Sequence, residues 1–218
     1  MNILADIDVL KKYLAFASVN WDGVAAVTEM KRENFRHACQ TEWPGFYLEF
    51  LAARALSGTN FVFPGSKYGN VEFDLRSRCN WDLKSSSGLN PNGTPNRTCI
   101  LNDVSAIRQS IRDFGVHGVV IVTYTPEYDL RGTFRDWHDS VCGVTPYVIK
   151  NTALNRPRRI RKVRALLDEV LFVELTEESL GRLQLMHQGR NSNGLARQPK
   201  FKFSKLDNAD LIVDAVQL

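Results

Sequence analysis

The stretch VEFDLRSRCNWDLKSSS, residues 71–87, places Asp74 and Asp82 on two short runs of alternating apolar and polar residues, with Lys84 two positions after the second aspartate. Alternate side chains on a strand share a face. Val71, Phe73 and Leu75 then oppose Glu72, Asp74 and Arg76, while Trp81 and Leu83 oppose Asn80, Asp82, Lys84 and Ser86. A turn centred on Arg78 sets Asp74 directly across from Asp82. Cross-strand Cβ atoms lie roughly 4.5–5.5 Å apart, and like charges at that separation destabilise a hairpin. A divalent cation reverses the sign, and Mg²⁺ suits the arrangement, because it takes a few carboxylate oxygens together with water and phosphate. Lys84 lies roughly 6.6 Å further along the strand. From there an ammonium could stabilise charge developing on phosphorus or help activate a water.

A third acid precedes the hairpin. Glu49 sits in a helical stretch whose neighbours at three and four residues are Gly45, Phe46, Ala52 and Ala53. A carboxylate on so apolar a face is costly unless it is paired or metal-bound.

The elements that must position these groups follow from periodicity and punctuation. DIDVLKKYLAFAS has apolar residues at helical spacing, and a second, less regular helix is expected around 24–40. TEWPGFYLEFLAARAL is a third, with Pro44 in its first turn, Gly58 past its end and a nearly all-round apolar surface over 46–56. Strand-like runs cover 60–63, 70–76 and 80–86. SGLNPNGTPNRT, 87–98, is a loop. NDVSAIRQSIRDFG is a helix with Asn102 or Asp103 as N-cap and Gly115 as its stop. It feeds VHGVVIVTY, a continuous apolar run of the kind found in a central strand covered on both faces. The expected class is α/β, a mixed sheet flanked by helices, in one domain over 1–218.

At this point the residues resemble the PD-(D/E)xK nuclease superfamily: an acid on a helix (Glu49), an aspartate at a strand end (Phe73-Asp74), then Asp82-Leu83-Lys84 on the next strand. The helix and strand that follow continue that family's core order, so the resemblance covers about residues 40–125. Chain length and a basic C-terminal part are similar to type II restriction endonucleases. The resemblance implies a restriction-endonuclease-like core and Mg²⁺-dependent hydrolysis of double-stranded DNA that leaves 5′-phosphates. It implies metal binding by Asp74, Asp82 and the Leu83 carbonyl, orientation or activation of the attacking water by Lys84, and support of the site or of a second ion by Glu49. A homodimer follows from the symmetry of such targets, and the expected location is the cytoplasm of a prokaryotic cell. The chain departs from the pattern in having Phe73 before the first aspartate and only seven residues between the two aspartates. Glu72, on the same face as Asp74, is an alternative first ligand.

Charge is distributed unevenly. Residues 150–205 hold thirteen Lys/Arg against five Asp/Glu, which leaves the rest of the chain net negative within an overall +4. RPRRIRKVR, 156–164, contains Arg158, Arg159, Arg161 and Lys162. It suits phosphate neutralisation and equally the basic side of a surface helix. HQGRNSNGLARQPKFK, 187–202, offers Gln188, Arg190, Asn191, Asn193, Arg197, Gln198 and Lys200 without one acid. Arg reads guanine and Asn or Gln reads adenine in the major groove, so 150–205 is the expected DNA-recognition region. A structure-specific repair or junction nuclease and a non-catalytic DNA-binding protein are the alternatives.

Cys39, Cys79, Cys99 and Cys142 are widely spaced, against a zinc site or a disulfide scaffold. His117, His138 and His187 have no metal-ligand spacing and read as structural or phosphate-contacting. The first sixteen residues carry Asp6, Asp8, Lys11 and Lys12, unlike a signal peptide. No apolar run approaches the roughly 20 residues of a membrane span, so a soluble protein with no membrane partner is expected.

Overall fold

A computed structural model describes residues 3–14, 18–63, 73–190 and 194–218. Glu72, Asn191 and Asn193 lie outside the described residues. The chain runs α1 (Leu4–Leu14), β1 (Asn20–Asp22), α2 (Gly23–Arg32), α3 (Trp43–Ala55), β2 (Leu75–Arg76), β3 (Asn80–Ser87), β4 (Thr98–Asp103) and α4 (Val104–Phe114). It continues through β5 (His117–Tyr128), α5 (Thr133–Cys142), α6 (Pro146–Ala153), β6 (Lys162–Leu175), α7 (Glu177–Leu180), β7 (Gln184–Met186), β8 (Lys200–Ser204) and β9 (Ile212–Gln217). No helix among the described residues is long and apolar enough to cross a membrane.

Two sheets form. The larger has the order β1-β6-β5-β3-β2, with β9 also paired to β6; the smaller is β4-β8-β7. Strands β3 and β5 are parallel, in the register Asp82–Val119 and Lys84–Ile121. The connection between them runs through β4 and α4, as parallel pairing demands a long crossover. All other strand pairings among the described residues are antiparallel.

Apolar side chains cover both faces of the large sheet. On one face Trp81, Leu83, Val120, Val122 and Phe172 pack with Leu10, Val27, Trp43, Leu48 and Ala52 from the first three helices. On the other, Val119, Ile121, Leu171 and Val173 meet Ile107 and Ile111 of α4 and Cys99, Leu101, Phe201 and Phe203 of the small sheet. Residues 117–122 of β5 are consequently all buried, as the continuous apolar run anticipates.

Several expectations need correction. The loop starting at 87 ends where β4 begins, and β4 was not anticipated as a strand: Cys99 and Leu101 face the core while Thr98 and Ile100 face out. The run 60–63 makes only a bridge, Val62 to Arg76, and in the described part of 70–76 only Leu75 and Arg76 form a strand. The second helix stops at Arg32. The basic segment 156–161 has no regular secondary structure, so it is not helical, and leads into the fourteen-residue β6. Helix α4 begins after Asp103, with Gly115 at φ +77° closing it.

Candidate functional site

The hairpin β2–β3 pairs Leu75 with Trp81 and Arg76 with Asn80. That register is centred on Arg78 and, continued one step, sets Asp74 across from Asp82. Its turn is held by a residue far away in sequence. Asp6 of α1, fully buried, accepts hydrogen bonds from the Arg78 backbone N–H (3.1 Å), the Arg78 guanidinium (2.7 Å) and the Trp81 indole N–H (3.1 Å). On the neighbouring strand Gly118 makes room for the Trp81 ring; a methyl group there would come within 2.3 Å of it.

Lys84 bridges the two aspartates. Its Nζ lies 3.4 Å from Asp74 Oδ2 and 3.9 Å from Asp82 Oδ1. Asp74 Oδ2 also accepts the Leu83 backbone N–H at 2.7 Å, which fixes the first aspartate against the strand carrying the second. Glu49 lies on the surface of α3 that approaches β3. With Asp74, Leu83, Arg36 and Phe63 it lines a cleft of about 350 Å³. Asp82 is not among the residues lining that cleft. Its carboxylate is fully buried and meets Asn102 Nδ2 at 2.7 Å and His117 Nε2 at 3.2 Å.

These positions set the charges. Burial pushes Glu49 up to about 8, and Asp74 adds to the effect, while Lys84 and Arg36 partly oppose it. Burial likewise lifts Asp74 above the usual carboxylate range, against the pull of Lys84. Burial acts in the same direction on Asp82, but there Lys84 and the hydrogen-bonded His117 outweigh it and hold the carboxyl below the usual range. Burial would lower Lys84, yet Asp82 and Asp74 overcome it and the ammonium is held more firmly protonated than an ordinary lysine. Lys84 is therefore held as a cation and hydrogen-bond donor in this arrangement.

Among the described residues, no group of three or more His, Cys, Asp or Glu side chains is gathered so as to hold a metal ion. The donor set does fit an ion that takes one or two carboxylates and completes its shell with water, as Mg²⁺ does. Two carboxyl groups, Glu49 and Asp74, face one cleft and are both pushed towards their neutral forms. A divalent cation would remove the repulsion that contributes to that shift.

The basic residues divide into two groups. Arg161 is buried and pairs with Asp139 at 2.8 Å, and Arg158 binds the same carboxylate at 2.6 Å. Lys162 is committed to Glu42 at 2.5 Å, whereas Arg159, also near Glu42 at 3.7 Å, keeps its guanidinium largely in solvent. Arg158, Arg161 and Lys162 thus fasten the start of β6 to α5 and to the entrance of α3, while Arg159 stays mainly in solvent.

Residues 187–190 and 196–200 prolong a hairpin. Strands β7 and β8 pair Gln184 with Lys202 and Met186 with Lys200, and the same register continues through the Gln188 side chain on the Gln198 carbonyl (2.7 Å), the Arg197 N–H on the Gly189 carbonyl (3.0 Å) and a bridge from Arg190 to Ala196. The Arg190 guanidinium donates to the Gly194 carbonyl at 2.8 Å. Lys200, at the base of this ribbon, lies 3.7 Å from Asp103 and is one of the charges that lower Asp82. The ribbon and the carboxylate cluster therefore meet at Lys200.

Sequence reasoning missed Asn102 and His117 as partners of Asp82, Ser110 as the partner of His117, and Asp6 as the anchor of the hairpin. No local pattern signals them. His117 shares a face with Val119 by alternation, but it comes beside Asp82 only because β3 and β5 run parallel in this register. No family model, characterised protein or solved structure matches the chain.

Proposed function

We propose that the protein is a Mg²⁺-dependent endonuclease of double-stranded DNA, acting as a sequence-specific type II restriction enzyme with a restriction-endonuclease-like core. The observation that carries this reading is the placement of the Lys84 ammonium between Asp74 and Asp82, beside a cleft shared by Asp74, Leu83 and Glu49. A cation between two carboxylates on adjacent strands is an arrangement for handling a phosphate with its attacking water. Asp74 and Glu49, which share the cleft, would hold Mg²⁺, while the buried Asp82, expected from the sequence as a ligand, would instead hold Lys84 beside them. When bound, the ion supplies Lewis-acid polarisation of the phosphate and neutralises the carboxylates. Lys84 orients the attacking water by donating to it and places positive charge where the phosphorus centre gains negative charge. The water oxygen bonds to phosphorus as the bond from phosphorus to the 3′-oxygen breaks, the proton that the water loses ends on the departing 3′-oxygen by way of solvent, and the new end carries a 5′-phosphate.

The DNA substrate is supported by the basic ribbon, whose base lies beside the carboxylate cluster. Two-stranded ribbons fit the major groove, and Gln188, Arg190, Arg197, Gln198 and Lys200 are spread along this one. A homodimer would present two ribbons to a palindromic target.

The deciding experiment incubates the protein with long mixed-sequence DNA, with Mg²⁺ or with EDTA. Discrete fragments only with Mg²⁺ are the expected result. A smear, or cleavage confined to branched DNA, would replace sequence specificity by structure specificity. Binding without cleavage under every condition would leave a DNA-binding protein and end the catalytic reading.

A further inference from the structure

The connection from α2 to α3 forms one wall of the cleft that holds Glu49 and Asp74. Asn34 stands at φ +55°, a left-handed conformation that ends α2, and the Phe35 backbone N–H returns to the Met30 carbonyl at 2.8 Å. The chain then lies across α3. The Phe35 ring meets Phe50 edge-on, with centroids 5.5 Å apart, and the buried His37 ring lies 4.9 Å from Phe46. Phe46 and Phe50 belong to the same stripe of α3 as Glu49 and Ala53, because residues three and four apart share a helix face.

Arg36 stands between these two anchors. It is exposed and lines the cleft together with Glu49, Asp74 and Leu83. Among the described residues lining the cleft it is the only cation, and its charge reaches the Glu49 carboxylate. Because Phe35 and His37 fasten the loop on either side, the guanidinium is carried on a fixed backbone beside the carboxylates.

The charges around the cleft indicate its use. Glu33, a further acid on the same wall, is answered by Arg32 and Arg54, each 3.6 Å away. A divalent cation would balance Glu49 and Asp74, and the Lys84 ammonium is shared between Asp74 and Asp82. A phosphodiester brought to the ion carries one more negative charge, and further charge gathers on its oxygens as water adds to phosphorus. A guanidinium suits that group, since its planar fork donates two parallel N–H bonds to two oxygens of one phosphate. Donors fixed where charge develops are among the largest contributions to such a reaction.

We propose that Arg36 is a further catalytic residue, whose guanidinium donates to the non-bridging oxygens of the phosphate being cleaved and stabilises the charge that gathers there. This inference rests on the endonuclease reading and adds a cation from the α2–α3 connection to the lysine of the hairpin. The bonds made and broken are those of the hydrolysis described above. Arg36 stays protonated throughout and transfers no proton.

The test compares the wild-type chain with Arg36→Ala, Arg36→Gln and Arg36→Lys, measuring kcat and DNA KM for Mg²⁺-dependent cleavage, DNA affinity in EDTA, and Tm. Arg36→Ala is expected to lose roughly 10²–10³-fold in kcat, with DNA affinity in EDTA and Tm close to those of the wild type. Guanidinium ion, added far below denaturing concentrations, should restore part of the kcat of Arg36→Ala and leave that of the wild type unchanged. Arg36→Lys, which keeps the charge without the fork, should fall between the two. An unchanged kcat in Arg36→Ala overturns the inference, and if DNA affinity in EDTA falls instead, Arg36 is an ordinary phosphate contact. A loss of kcat that comes with a lowered Tm and is not restored by guanidinium overturns it as well, because a structural role would produce that result. If Arg36→Ala does not fold, Arg36→Gln is judged by the same criteria. A wild-type protein that does not cleave DNA with Mg²⁺ would instead overturn the endonuclease reading itself, and this outcome is visible before any variant is compared.

Discussion

The carboxylate cluster on β3 and the basic ribbon formed by β7 and β8 achieve order in opposite ways. Around β3 each charged group answers to others from distant elements: Asp6 from α1, Glu49 from α3, Asn102 from β4 and His117 from β5. In the ribbon beyond β7, Gln188 and Arg190 donate to carbonyls of the ribbon itself. Buried charges must be paired or hydrogen-bonded because an unpaired one is prohibitively costly, whereas exposed ones are screened by water and salt. The first region is therefore built to be rigid before anything binds. The second presents donors that can leave their own backbone for another partner.

The largest effect that would sharpen this contrast is on cleavage. Asp82→Ala or Lys84→Ala should reduce Mg²⁺-dependent cleavage by on the order of 10³-fold or more while gel-shift binding to DNA persists; normal cutting by both would remove the cluster from the mechanism. Next in size is Asp6→Ala. It leaves the Arg78 N–H and guanidinium and the Trp81 indole without their shared acceptor, and should cost roughly 3 kcal/mol, read from urea unfolding. A value near zero would show that the hairpin does not depend on α1.

Glu49 gives a pH signature. Because the folded state raises its carboxyl to about 8, the folded protein binds more protons than the unfolded chain between the ordinary carboxylate range and about 8. Stability in EDTA must then fall as pH rises through that window. Thermal unfolding from pH 5 to 9 should show this decline in the wild type, a flatter profile in Glu49→Gln, and partial restoration by Mg²⁺. Identical profiles for the two proteins would break the assignment.

The smallest effects separate the cations. Arg159→Ala should lower the salt dependence of DNA binding by about one phosphate contact with Tm unchanged. Arg161→Ala should do the reverse, lowering Tm by a few degrees through the loss of its buried pair with Asp139. Arg190→Ala should cost about 1–3 kcal/mol of discrimination against altered target sites; equal losses on all DNA would make it a phosphate contact.

Much of the fold is legible in local patterns. The alternation around Arg78 sets the hairpin register, Pro44 stands in the first turn of α3, Gly115 closes α4, and the apolar run from Val116 to Tyr124 becomes the doubly covered β5. The strand β4 escaped because its six residues lie between a loop rich in Gly, Pro and Asn and a strong helix signal, and it gains its identity only by pairing with β8, about 100 residues on. The run 156–164 showed the same limit: its composition announces charge but not whether Arg161 points to solvent or to Asp139.

By itself the sequence determined which groups share a strand face and that Asp74, Asp82 and Lys84 belong together, because side-chain alternation and turn register are properties of neighbouring residues. Tertiary structure alone decided that Asp82 turns towards His117 and Asn102 and away from the cleft, that Asp6 clamps the turn, and which arginines are buried. Those outcomes depend on parallel pairing across a crossover and on helix docking, where the partners of a charge are chosen by packing between elements far apart in the chain.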